Sequence, residues 1–182
     1  MQRRRLLGAA LLGAAWWCGA GHTPYRQWRV YRQKHLLIGS SRADPASYDL
    51  ARQIAGVLVR ELPDSRARSS RAPDQRRIAS LLASDQWQVA VLLREDALDL
   101  SRGRGMFEPV GPVPLSVLFA MDEHLLVSRP DFPGRHAWLV VQVLAEHANE
   151  MAGARPLDGP VDIIPLHPGA LAHARGEEPP PS

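Results

Sequence analysis

Two serine pairs, Ser40-Ser41 and Ser69-Ser70, each stand just ahead of a stretch that reads as a helix. Hydroxyls at a helix start, together with backbone N–H groups that have no partner inside the helix, can receive a carboxylate. The same residue types also serve as ordinary caps and turns, and that explanation stays open. Arg66, Arg68, Arg71, Arg76 and Arg77 cluster near the second pair. They would draw an anion there or form a solvated basic face.

Catalytic and metal chemistry find less support. The seven His include no H-x-x-x-H spacing, and the only Cys is Cys18, so neither a metal site nor a cofactor is expected. No G-x-S-x-G surrounds any serine. Gly103-Arg104-Gly105 lacks the third glycine and the lysine of a phosphate loop and reads as a tight turn. His167, ahead of Pro168-Gly169, fits a turn better than a ligand or a catalyst. The chain is therefore expected not to be an enzyme.

These residues need a scaffold, and hydrophobic periodicity supplies one. His35 to Gly39 reads as a buried strand running into a loop at Ser40-Ser41. Asp44-Pro45 opens a helix whose Tyr48, Ala51, Ile54, Ala55, Leu58 and Leu62 share a face before Pro63 ends it. A short basic strand follows at 66–70, then a helix from Pro73-Asp74 with Ile78, Leu81 and Leu82 inward. Trp87, Val89, Val91 and Leu93 alternate as the next strand. Strand–helix–strand–helix–strand order points to an α/β fold with a mostly parallel sheet, because each helix must cross over and cover it. Further strands are expected at 115–120, 123–128 and 161–166, with a Gly- and Pro-rich loop at 103–114 and a helix opened by Asp131-Phe132-Pro133. Residues 153–159 read as a loop and 177–182 as a polar, disordered tail.

The first 21 residues have signal-peptide anatomy: Arg3-Arg4-Arg5, then an apolar run from Leu6 to Cys18, then small residues. At 13 residues the run is short for a permanent span, although a short membrane anchor is the alternative. Arg-Arg-x-Leu-Leu from Arg3 fits a twin-arginine signal. Residues 22–34 form a basic and aromatic linker, Tyr25-Arg26-Gln27-Trp28-Arg29-Val30-Tyr31-Arg32-Gln33-Lys34, of a kind found at membrane interfaces. The expected location is the periplasm, with anchoring to the inner membrane by an uncleaved N-terminal segment as the alternative. The whole chain carries +3, but residues 35–182 hold 15 basic against 19 acidic residues, which argues against a nucleic-acid partner.

Three blocks resemble the TAXI group of solute receptors that serve TRAP-type transporters. They are Leu81-Leu82-Ala83-Ser84 through Val89-Ala90-Val91, then Glu95-Asp96-Ala97-Leu98-Asp99 through Gly103-Arg104-Gly105-Met106-Phe107, and finally Ile164-Pro165-Leu166-His167-Pro168-Gly169-Ala170-Leu171. The resemblance covers most of residues 35–178, in a family of about twice this length built from two α/β lobes. It implies a single-lobe periplasmic-binding-protein-like domain of three layers over 35–176, the second lobe missing. It further implies an organic-anion or amino-acid ligand at Ser40, Ser41, Tyr48, Ser69, Ser70 and Gln75, and membrane transporter subunits as partners. Ile78 and Leu93 stand where the family carries polar groups, so the alternative is a lobe that has lost capture and docks a membrane or another periplasmic protein.

Overall fold

The computed structural model describes residues 35–181, so the signal or anchor at 1–21 and the linker at 22–34 lie outside the described residues. The chain runs β1 (Leu37–Ser41), α1 (Pro45–Glu61), β2 (Arg68–Ala72), α2 (Gln75–Ala83), β3 (Val89–Leu93), α3 (Arg94–Arg102), β4 (Ser116–Met121), β5 (His124–Ser128), α4 (Gly134–Glu146), β6 (Ala154–Arg155) and α5 (Pro168–Ala174).

One six-stranded sheet has the order β2-β1-β3-β5-β4-β6. The parallel arrangement expected from the sequence holds for β1 with β2 and with β3. The other half is antiparallel, β5 against β3 and β4, and β6 against β4, so the sheet is mixed. The chain leaves β1 toward β2 and then crosses back over β1 to β3. Two right-handed crossovers in opposite directions put their helices on opposite faces. Contacts agree: α1 packs with α4, and α4 with α5, whereas α2 and α3 both meet the 3-10 turn at Gly105–Phe107. Helices therefore cover both faces of the sheet, and one continuous apolar core, with Ile38, Ile54, Leu82, Leu92, Phe119 and Leu125 out of solvent, fills the space between.

Local chemistry explains most elements. Asp44 caps α1, its carboxylate accepting from Ser47 N at 3.3 Å, with Pro45 at the first helical position. Asp74 caps α2 by accepting from Arg77 N at 2.8 Å. Gly39 lies under the indole of Trp87, and a Cβ there would come within 2.3 Å of the ring, so no larger residue fits this point of β1.

Four expectations need revision. β1 and β2 both lie two residues later than the periodicity placed them; for β2 the reason is that Pro63–Ser65 makes a 3-10 turn and Arg66 caps it with φ 44°. Residues 94–102, for which the periodicity assigned no element, form α3; only Ala97 and Leu100 are buried, too few for a visible helical period. The strand expected at 161–166 is replaced by a reversal at Asp162, φ 53°, in which Val161 and Ile164 bond to each other. The last strand is instead the two-residue β6, within the stretch read as a loop. Beyond 176, Glu177 O accepts from Trp138 Nε1 at 3.0 Å and Pro180 sits beside Gly134, so this part of the tail is laid against α4.

Candidate functional site

In an open α/β sheet the place for a ligand is the crevice outside the carboxyl ends of the strands, where successive crossovers depart in opposite directions. Here that place lies above β1 and β3. Ser41 is the last residue of β1, and the chain reaches α1 through Arg42, Ala43 and Asp44.

The connection is knitted by its own polar groups. Ser41 Oγ accepts from Ala43 N at 3.0 Å, and Ser47 Oγ accepts from Ser41 N at 3.1 Å while donating to Asp44 O at 2.7 Å. Ser40 Oγ donates to Ser70 O on the neighbouring strand at 3.0 Å. Both Ser40 and Ser41 are buried. Of the hydroxyls expected at this mouth, Ser40 is thus engaged in joining β1 to β2, and Ser41 in shaping the turn. Ser69 and Ser70 are half-buried in the middle of β2 and do not precede a helix; Ala72, Pro73 and Asp74 do. The delayed start of β2 carries both serines down into the strand.

Tyr48 and Gln75 lie closer to the mouth. The guanidinium of Arg71 covers the Tyr48 ring at 3.7 Å from its centroid, a cation–π contact that fixes one member of the basic cluster. Gln75, the first residue of α2, donates a side-chain hydrogen bond to Asp96 in the first turn of α3. Arg68, Arg76 and Arg77 are exposed.

Two residues not singled out in the sequence complete the arrangement. His124 opens β5 opposite Leu93, at the carboxyl end of β3, and its Nε2 lies 2.9 Å from Asp44 Oδ2. The two side chains are only 10% and 13% exposed. Asp96 is partly buried, and burial pushes its carboxyl above the ordinary aspartate value; the charges of Asp44, Asp99 and Glu95 add to this, while Gln75 opposes it. A turn at Asp122-Glu123 between two apolar runs was the available signal for His124. Its partner eighty positions upstream could not be read from one chain.

An Asp–His pair can move protons when a nucleophile or substrate meets the free ring nitrogen. Among the described residues no hydroxyl is hydrogen-bonded to the His124 ring, and no group of three His, Cys, Asp or Glu is placed to hold a metal ion. The pair acts here as a clasp. It reaches from the β1–α1 connection across the end of β3.

A well-formed cavity, about 540 Å³, lies at the opposite end of the sheet. The start of β1, the end of α1, Trp87 and the first half of α4 line it. None of the six residues expected to bind a ligand faces it. Among the described residues no helix is long and apolar enough to cross a membrane. Neither a scan against family models nor a search of curated proteins finds a match to the chain.

Proposed function

We propose that this chain is an exported, non-enzymatic binding protein of the solute-receptor type, reduced to one lobe, which docks a membrane or periplasmic protein instead of enclosing a small solute. The observation that carries this reading is the Asp44–His124 contact at 2.9 Å, with both side chains nearly out of solvent, spanning the crevice. A receptor that traps its ligand leaves such groups open until the ligand arrives. Here they satisfy each other, as Ser40 and Ser41 satisfy the backbone. The short passage from Ser128 to Gly134, six positions, agrees with a single lobe, since a second needs on the order of 100 residues.

Titration calorimetry of the full chain in detergent against organic acids and amino acids tests this. No binding tighter than roughly 100 μM is expected, because one open wall leaves a ligand's hydrogen bonds competing with water. Tight stoichiometric binding lost in Ser69→Ala or Tyr48→Ala would reinstate the transport receptor. A fusion of residues 1–34 to a reporter active only outside the cytoplasm should be active; an inactive fusion refutes export.

A second reading, weak capture of an organic anion, draws on Arg71, exposed and fixed on Tyr48 beside Ser69 and Ser70 in β2. Millimolar binding abolished by Arg71→Ala would favour it.

A further inference from the structure

The cavity at the amino ends of the parallel strands has an apolar floor and an acidic rim. Leu37, Trp87, Phe132 and Leu139 supply the floor; Glu61 and Asp64, at the end of α1 and in the turn that follows, supply carboxylates at the rim. Trp87 and Phe132 are buried from below, whereas Glu61 and Asp64 are exposed. A cavity of this volume, about 540 Å³, is in the range that encloses a drug-sized molecule or a few large side chains. His35, the first described residue, is itself part of the lining.

We propose that residues 25–34 of this same chain occupy the groove. Three observations converge on that occupant. The first is position: Lys34 is joined directly to a lining residue, and at about 3.5 Å per extended residue Tyr31 stays within about 14 Å of His35 and Trp28 within about 25 Å. The second is composition. Trp28, Val30 and Tyr31 offer the large apolar and aromatic groups that such a floor buries best, each aromatic ring removing some 150–250 Å² from water. The third is charge. Arg26, Arg29, Arg32 and Lys34 have no acidic neighbour in the segment, and the rim they would meet carries Asp64, together with Glu61, which Arg60 already pairs. A free small molecule would have to displace a tethered segment whose local concentration is in the millimolar range.

This assignment does not depend on what happens at the carboxyl ends of the strands. It gives the linker a place on the protein itself, so that docking and membrane contact compete for the same aromatic and basic residues. A partner that takes the segment out of the groove would then expose the Trp87–Leu139 floor.

Trypsin cleavage at Arg29 and Arg32 of the full chain in detergent micelles, followed by mass spectrometry, reads the contact. The native chain should be cut about tenfold more slowly than a free peptide of residues 22–34 in the same micelles, because cleavage requires local release. Asp64→Lys should recover a few-fold of that rate and Leu139→Glu most of it. Asp158→Lys, an exposed carboxylate outside the groove, should change nothing. Asp64 is a surface residue, so its variant decides the matter if Leu139→Glu lowers the unfolding midpoint. Equal cleavage of native chain and peptide would overturn the proposal. So would protection that survives both groove variants, which assigns it to the micelle, or protection that disappears on dilution, which assigns the groove to a second copy.

Discussion

Asp44 Oδ2 lies 2.9 Å from His124 Nε2, and the same carboxylate accepts from Ser47 N through its other oxygen. One side chain therefore caps α1 and ties the start of β5 to the end of β1. Removing it should cost more than removing its partner. Asp44→Ala loses a cap, worth about 1 kcal/mol, and a charge-assisted bond of similar or greater size. We expect about 2–3 kcal/mol for Asp44→Ala and about 1–2 for His124→Ala, with the double variant less than additive by about 1 kcal/mol. Urea unfolding of the four proteins gives the cycle. Strict additivity would mean that the two groups do not hold one another.

His167 is held in one tautomer. Its Nδ1 accepts from Gly169 N at 3.1 Å, so its Nε2 carries the proton and donates to Phe132 O at 2.9 Å. Burial pushes the ring below the ordinary histidine value of 6.5, against the opposing pull of the Phe132 carbonyl. A proton added at Nδ1 would break the bond to Gly169. The unfolded chain thus binds more protons than the folded one below about pH 6.5, and stability is complete above that value and lost as pH falls from it toward the folded value. His167→Asn keeps an acceptor for Gly169 and removes the titration. Its unfolding midpoint should lie below that of the native protein at pH 8, and the gap should narrow by pH 5. A gap independent of pH would show that His167 does not titrate with folding.

Asp96 runs the other way. Burial raises its carboxyl above 3.8, so the folded state keeps its proton longer than the unfolded state does. Stability from this residue is greatest below about pH 3.8 and declines as pH rises through the folded value. Asp96→Asn, which retains an acceptor for Gln75, should gain stability relative to the native protein between pH 3 and pH 7. Denaturant midpoints at those two values suffice, and an unchanged difference would refute the shift.

What the sequence made legible follows from how local each signal is. Asp44-Pro45, the apolar face of α1 and the alternation through Val89 and Val91 all lie within one helix or strand, and each is where it was expected. The antiparallel half of the sheet was not, because the direction of β5 beside β3 depends on a pairing across 35 positions. The site suffered most from small errors of boundary. Two residues of register separate serines at the end of a strand expected over 66–70, beside a helix start, from Ser69 and Ser70 inside β2. Asp96 and His124 were missed because their significance is the company they keep, Gln75 and Asp44, and neither partner is near in sequence.

The run Ile164–Leu171 is accounted for by packing, and Gly169 is its most demanding position. Val117 N donates to Pro165 O and His167 N to Val117 O, both at 2.9 Å, which sets the run alongside β4. His167 then caps α5 through Gly169 N, and α5 turns in against α4. The contact is so close that a Cβ on Gly169 would come within 2.1 Å of Gly134 O and 2.9 Å of Ala137 Cβ. The first of these atoms is backbone at the start of α4 and cannot swing aside. Ala is otherwise the better helix former by about 1 kcal/mol, so propensity alone would make Gly169→Ala stabilising. Overpacking should win, since forcing two helices apart costs roughly 1–3 kcal/mol or more. We expect Gly169→Ala to lower stability by at least about 2 kcal/mol and to speed exchange of the α4 amides, while Gly56→Ala, in α1 with nothing within 4 Å of its added methyl, should raise stability by about 0.5–1 kcal/mol. Opposite signs from the same chemical change would tie the glycine in this run to the approach of α5 to α4; two stabilising changes would remove that explanation.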